Sequence, residues 1–129
     1  MNAETQHTDS AELTFIAGPP PLVRVVLKAG MNIEGEHIQA LHDIFLARTD
    51  GPAIVLIDSR AIASMTKAAR ELAAGDHIAP YVRRLAVLID GPVSSMINNF
   101  FIRVSRPRYP VRTFTDEQDA LGWLRAASP

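Results

Sequence analysis

Six residues, Ala53-Ile54-Val55-Leu56-Ile57-Asp58, form an apolar run closed by an aspartate. A short run with no polar interruption is the pattern of a strand covered on both faces, as a parallel sheet requires. After a short loop comes Thr66-Lys67-Ala68-Ala69-Arg70-Glu71-Leu72, a good N-cap residue leading strong helix formers. A buried strand feeding a helix is the repeating unit of an α/β fold. Leu85-Ala86-Val87-Leu88-Ile89-Asp90 repeats it, and Pro92 suits the first turn of the helix that follows.

The remaining segments fit around these two units. Leu13–Ala17 and the β-branched Leu22–Lys28 predict an antiparallel hairpin, interrupted by Gly18 and three prolines that cannot donate to a ladder. Ile38, Leu41, Ile44 and Phe45 recur at helical spacing between Glu34 and Arg48, and Asp50-Gly51-Pro52 turns the chain into the central strand. The helix from Thr66 is expected to end at Gly75 in a left-handed cap, with Pro80 forcing a break and a short second helix. Val93, Met96, Ile97, Phe100, Phe101 and Val104 make a stripe that is expected to face the core. Ser94, Ser95, Asn98, Asn99 and Arg103 fall on its other side, and Ile102 lies off the stripe. Val111–Phe114 alternates like an edge strand. Thr115 with Gln118 three residues on reads as a capping box for a last helix, packed through Ala120, Leu121 and Leu124. The predicted order is β-β-α-β-α-β-α-β-α, a mostly parallel central sheet with helices packed against it.

Composition removes several classes of function. At 129 residues and a net charge of −1, the chain has room for one continuous core and no global basic excess that would draw nucleic acid. It has no cysteine, so disulfides and thiolate chemistry are excluded. No apolar run approaches the roughly 20 residues that span a bilayer, so no integral membrane association is expected. Residues 1–11 are polar, without the basic start or apolar centre of a signal peptide. They are expected to form a disordered tail before a single domain over residues 12–129, in a cytoplasmic protein.

In a parallel sheet, ligands bind beyond the carboxyl ends of the strands. The residues expected there are Asp58, Ser59 and Arg60 after the central strand, then Asp90, Gly91 and Thr115. Two aspartates at strand ends suit acid/base work or Mg²⁺, and they equally suit local capping of turns and helices. Arg103, Arg106, Arg108 and Arg112 fall in Gly91–Thr115, a stretch without a single acid. Such an excess grips a phosphate or carboxylate, or forms a solvated face. His37 and His42 diverge on a helix, and His7 sits in the tail, so no metal site is expected. The chain also lacks a nucleophile elbow and a phosphate-binding glycine loop, and no cofactor is expected.

The strand-loop-helix from Ile54 to Leu72 resembles the centre of STAS domains, the fold of bacterial anti-sigma-factor antagonists. The stretch from Asn98 to Val104, the Arg106-Pro107-Arg108-Tyr109-Pro110 turn, the strand into Thr113-Phe114 and the helix with Ala120-Leu121-Gly122-Trp123-Leu124 look like STAS-like bacterial proteins of uncharacterised role. The resemblance covers Leu13 to Arg125. It implies a regulatory or interaction domain that is not an enzyme and binds a protein partner or small ligand near Asp58–Thr66. Ser64 and Thr66 are then the hydroxyls at the sensitive helix start. Antagonists carry Asp-Ser-Ser-Gly there, with a phosphorylated serine, whereas this chain reads Thr66-Lys67-Ala68-Ala69. The alternatives are a lipid- or small-molecule-binding module of CRAL-TRIO-like character, with a pocket beneath the Val93–Val104 helix, and a small enzyme using Asp58 and Asp90. The surplus apolar surface of that helix also predicts a homodimer.

Overall fold

The computed structural model describes residues 3–49 and 51–126. Asp50 of the expected turn, Met1 and Asn2 of the expected tail, and residues 127–129 lie outside them. The strands are β1 (Ala3–His7), β2 (Ala11–Ile16), β3 (Leu22–Leu27), β4 (Asn32–Ile33), β5 (Ala53–Asp58), β6 (Ser64–Met65), β7 (Val82–Leu88) and β8 (Val111–Phe114). The helices are α1 (Gly35–Arg48), α2 (Lys67–Ala73), α3 (Gly91–Phe100) and α4 (Glu117–Arg125). A 3-10 turn over Ala79–Tyr81 follows α2, as Pro80 requires, and a π turn over Phe101–Ser105 extends α3.

Six strands form the main sheet in the order β1-β2-β3-β5-β7-β8. The first three are antiparallel neighbours, and β3, β5, β7 and β8 run parallel. β4 and β6 pair separately as a two-residue parallel ladder. Because the parallel strands follow one another in a single direction across the sheet, crossovers of one hand put α1, α2 and α3 on the same face. Val23, Val25, Val55, Leu85 and Val87 point to that face and join Leu41, Phe45, Ala69 and Phe101 in the larger core. α4 follows the last strand, makes no crossover, and is free to cover the opposite face. There Ala120 and Leu124 pack on Leu22, Ile54, Leu56, Ala86 and Leu88. The apolar run of β5 thus serves two cores, with alternate residues in each.

Four local expectations are corrected. Residues 3–11 are not a disordered tail: Ala3–His7 pairs with β2 as an edge strand, and Ala11 is a buried residue of β2. β1 carries no apolar side chain larger than Ala3, so its stability comes from ladder bonds, the Thr5–Thr14 hydroxyl contact and an Arg48–Glu4 ion pair. The N-cap of α4 is Asp116 rather than Thr115: its carboxylate accepts from the amides of Gln118 at 2.7 Å and Asp119 at 3.2 Å. α2 ends on Ala74, and Gly75 is not left-handed; its missing Cβ instead leaves room for the His77 ring. The last difference concerns α3. Val93, Met96, Phe100 and Val104 are exposed, whereas Ser94, Asn98 and Phe101 are buried.

Candidate functional site

The residues that sequence grouped at the strand ends divide between the two faces of the sheet. Side chains alternate along a strand, so Asp58 and Ser59 point opposite ways. On the α4 face, Arg60 grips Asp58 through Nε at 2.9 Å and Nη2 at 2.7 Å, and its backbone amide adds a third bond at 3.1 Å. Burial works to raise the pKa of Asp58, but the Arg60 hydrogen bonds outweigh it and hold the carboxyl below its usual value. Beside this pair, Arg24 donates to both carboxylate oxygens of Glu117, at 3.0 and 2.8 Å, and holds Glu117 low in the same way. Both oxygens of Asp58 therefore accept from Arg60, an arrangement suited to tying β5 to its loop.

On the other face, Ser59 is buried and donates to the Leu88 carbonyl at 2.9 Å. Its oxygen accepts from Asn98 Nδ2 at 3.0 Å, and that nitrogen spends its second hydrogen on the Ser94 carbonyl at 2.9 Å. Ser94 Oγ in turn accepts from the Asp90 amide at 2.6 Å and donates to the Asp90 carbonyl at 3.0 Å. Asp90 thus enters the network through its backbone, and its exposed carboxylate makes no cap bond to α3. Gly91 turns at φ +79°, which sets the phase of the helix behind it.

Ser64 and Thr66 are placed by the small β4–β6 ladder. Ser64 donates to Asn32 Oδ1 at 2.6 Å, and Thr66 caps α2 by accepting from the Ala69 amide at 3.2 Å. From α2, Arg70 reaches back to the Met65 carbonyl at 2.9 Å and lies over the Phe100 ring of α3, 4.4 Å from its centroid. Arg103 on the π turn and Arg106 just after it are exposed, and neither has an acidic partner among the described residues; Arg108 pairs with Asp76 at 3.3 Å. Arg106 adopts a left-handed backbone, φ 49°, where the turn ends. Ile102 is half-buried and packs against the larger core.

Between the sheet and α1, α2 and α3 lies a cavity of about 100 Å³, walled by hydrocarbon except at Ser59, Asn98, His42 and Tyr109. Tyr109 donates to the Ala73 carbonyl at 2.6 Å, and burial pushes its hydroxyl pKa up. His42 Nδ1 meets His77 Nε2 at 2.9 Å, and burial, reinforced by His77, pushes the His42 pKa down to about 4. Sequence reading missed this pair, because the two histidines are separated by 35 positions and only the packing of α1 against α2 and the turn that follows it joins them. It also read Asn98 as outward. The available signal was Ser94 and Asn98 at i, i+4 beside Ile97 and Phe101, which is itself a helical face. Among the described residues no group of three or more potential ligands could hold a metal ion, and no helix is long and apolar enough to cross a membrane.

Residues 22–128 match the model of a domain family of unknown function, DUF7793. No curated protein matches the sequence. Among solved structures, the chain is similar to an uncharacterised protein of the DUF3478 family from Shewanella loihica PV-4, described as having a SpoIIAA-like fold. That likeness has a TM-score of 0.53 at 18% identity and covers 95% of this chain and 92% of the other. At such identity it speaks for the fold alone. A mostly parallel sheet with three helices on one face and one on the other is thus the STAS-like, SpoIIAA-like architecture, and the chain belongs to the DUF7793 family.

Proposed function

We propose that this chain is a non-enzymatic interaction domain of regulatory type, which captures a protein partner on the outer face of α3 and the adjoining edge of α2. The observation that carries this reading is the exposure of Val93, Met96, Phe100 and Val104 along one side of a single helix. Soluble proteins seldom leave so contiguous an apolar strip uncovered, and strips of this kind rimmed by polar groups mark interfaces. The rim supplies the chemistry of the partner. Arg103 and Arg106 flank the strip without acidic partners among the described residues, Lys67 and Thr66 stand at the exposed start of α2, and Asp90 stands at the other end of α3. An acidic surface with apolar anchors complements this face.

A second copy of the chain complements it less well. A two-fold interface sets the same patch against itself, and the cations of its rim, Arg103, Arg106 and Lys67, outnumber its one acid, Asp90. Asp58 supports a non-enzymatic role, since a carboxylate held by three bonds from Arg60 is poorly disposed to exchange protons.

The test is to identify the captured partner, purify it, and measure its affinity for the wild-type chain and for Met96→Glu and Phe100→Glu. The expected result is a loss of at least 100-fold for either variant, with wild-type binding weakening as salt rises. Equal affinity of all three would remove the reading. So would sedimentation showing a wild-type dimer that either substitution dissociates, because the face would then be a self-interface.

A further inference from the structure

The main sheet ends in two open edges, and they differ in what they offer. β1 and β8 are its outermost strands, with no strand beyond either among the described residues. Backbone groups alternate sides along a strand, and the carbonyls of Pro110 and Phe114 accept from the amides of Leu85 and Ile89. Residues 110, 112 and 114 therefore face β7. The amides and carbonyls of Val111 and Thr113 face outward, without a partner among the described residues. Such a row is a template for another extended chain. β1 flanks its own edge with Glu4, Thr5, Gln6 and His7, so a strand added there would find no apolar contact larger than Ala3. β8 has apolar groups on both faces. Val111 is half-buried against the larger core, and Phe114 with Trp123 borders the smaller one.

Charge narrows the occupant. Arg112 is exposed on the α4 side of β8, its guanidinium 5.4 Å from the centroid of the Phe114 ring. It has no acidic partner among the described residues, and neither has Arg106 in the turn that leads into the strand. The acids that follow β8 are committed elsewhere, Asp116 to the cap of α4 and Glu117 to Arg24. A second β8 laid antiparallel on the first, with Val111 opposite Thr113, would set Arg112 against Arg112. Like charges directly opposite destabilise a strand pair, whereas a carboxylate at that place stabilises it. A nucleic acid would also satisfy the arginine, but it carries no strand-spaced row of donors and acceptors for the edge. A polypeptide carries both. Its side chains alternate, so the one opposite Arg112 lies on the α4 face, and those opposite Val111 and Thr113 lie on the face of the larger core.

We infer that the free edge of β8 is a docking site for an extended protein segment in which acidic and apolar residues alternate. The segment adds a further strand to the sheet, with a carboxylate beside Arg112 and apolar side chains beside Val111 and Thr113. The inference goes beyond the reading of the α3 face and does not depend on it, since the probes are short peptides and the α3 face serves as the control.

The probe is the peptide Ac-Glu-Val-Glu-Val-Glu-NH2, titrated into the full chain and followed by amide NMR shifts and amide hydrogen exchange. It should bind at millimolar concentration, shift the amides of Val111 and Thr113, and slow their exchange with solvent. The same peptide with both valine amides N-methylated should not bind, because the ladder bonds are gone. Ac-Lys-Val-Lys-Val-Lys-NH2 should bind at least tenfold more weakly, and Arg112→Glu should reverse that order. Thr113→Pro removes an outward amide, a change edge strands tolerate, and should abolish binding. If that variant does not fold, the N-methylated peptide carries the same test on the wild type. Met96→Glu, on the α3 face, should leave the affinity of the acidic peptide within about a factor of two. The inference is overturned if the acidic peptide does not bind at millimolar concentration, or if its shifts fall on α3 and spare Val111 and Thr113. It is equally overturned if the N-methylated or the lysine peptide binds the wild type as tightly.

Discussion

The two faces of the sheet are built on different principles. The α4 face is a small, filled core in which Leu56, Ala86, Leu88 and Ala120 have no exposed surface, edged by two arginine–carboxylate pairs. The face under α1, α2 and α3 is larger, contains a cavity and a buried serine–asparagine network, and turns much of the apolar surface of α3 outward. One face is built to hold the sheet together. The other leaves apolar surface and volume unspent, inside and outside α3, as a domain that binds something would.

The largest expected effect separates filled from unfilled packing. Leu88→Ala on the α4 face should cost about 4 kcal/mol, because a fully enclosed side chain leaves a hole its neighbours cannot close. A denaturant midpoint showing a loss under about 1 kcal/mol would end the claim that this face is the tighter one.

Acid distinguishes the faces by where each titrates. The unfolded chain protonates His42 near its ordinary 6.5, while the folded chain resists until about 4. Protons taken up between those values favour unfolding, so the stability is complete above pH 6.5 and falls by up to about 3 kcal/mol on the way to pH 4. His42→Leu should flatten that interval. Asp58 and Glu117, held below their ordinary 3.8 and 4.5, contribute stability that is present above those values and lost as pH falls through and below them. Stability curves for wild type and His42→Leu that superimpose between pH 6.5 and 4 would contradict the burial assigned to this histidine.

Two smaller effects sharpen the contrast. Asp116→Ala should destabilise by about 1 kcal/mol through the lost cap of α4, with Thr115→Ala closer to neutral. The reverse ranking in thermal melts would return the cap to Thr115. Val87→Ile adds one methylene to the cavity and should raise stability by about 0.5–1 kcal/mol, the inverse of an ordinary core truncation. A loss instead would mean that the cavity wall is already overpacked.

Much of the architecture was legible in the chain. The β5 and β7 runs, the hairpin, α1, the break at Pro80 and the start of α2 at Thr66 all follow from local signals that tertiary contacts do not reverse. β1 was illegible because Ala-Glu-Thr-Gln-His has no apolar alternation, and an edge strand can be held by its backbone and by partners elsewhere in the chain. The candidate site was legible only as a list. Asp58 and Ser59 are neighbours in sequence, yet the strand sends them to different cores, where Arg60 takes one and Asn98 the other.

By itself the sequence determined the class of fold, because apolar runs such as Ala53–Ile57 must be covered on both faces, and the helix-spaced segments between them supply the cover. The tertiary structure alone decided which way α3 faces. A period of 3.6 marks Val93, Met96, Phe100 and Val104 as one side of a helix without saying whether that side meets the sheet or the solvent. Its phase comes from the turn at Gly91, from the local bonds of Ser94 to Asp90, and from the bond of Asn98 to Ser59, a contact that exists only once β5 and β7 lie side by side.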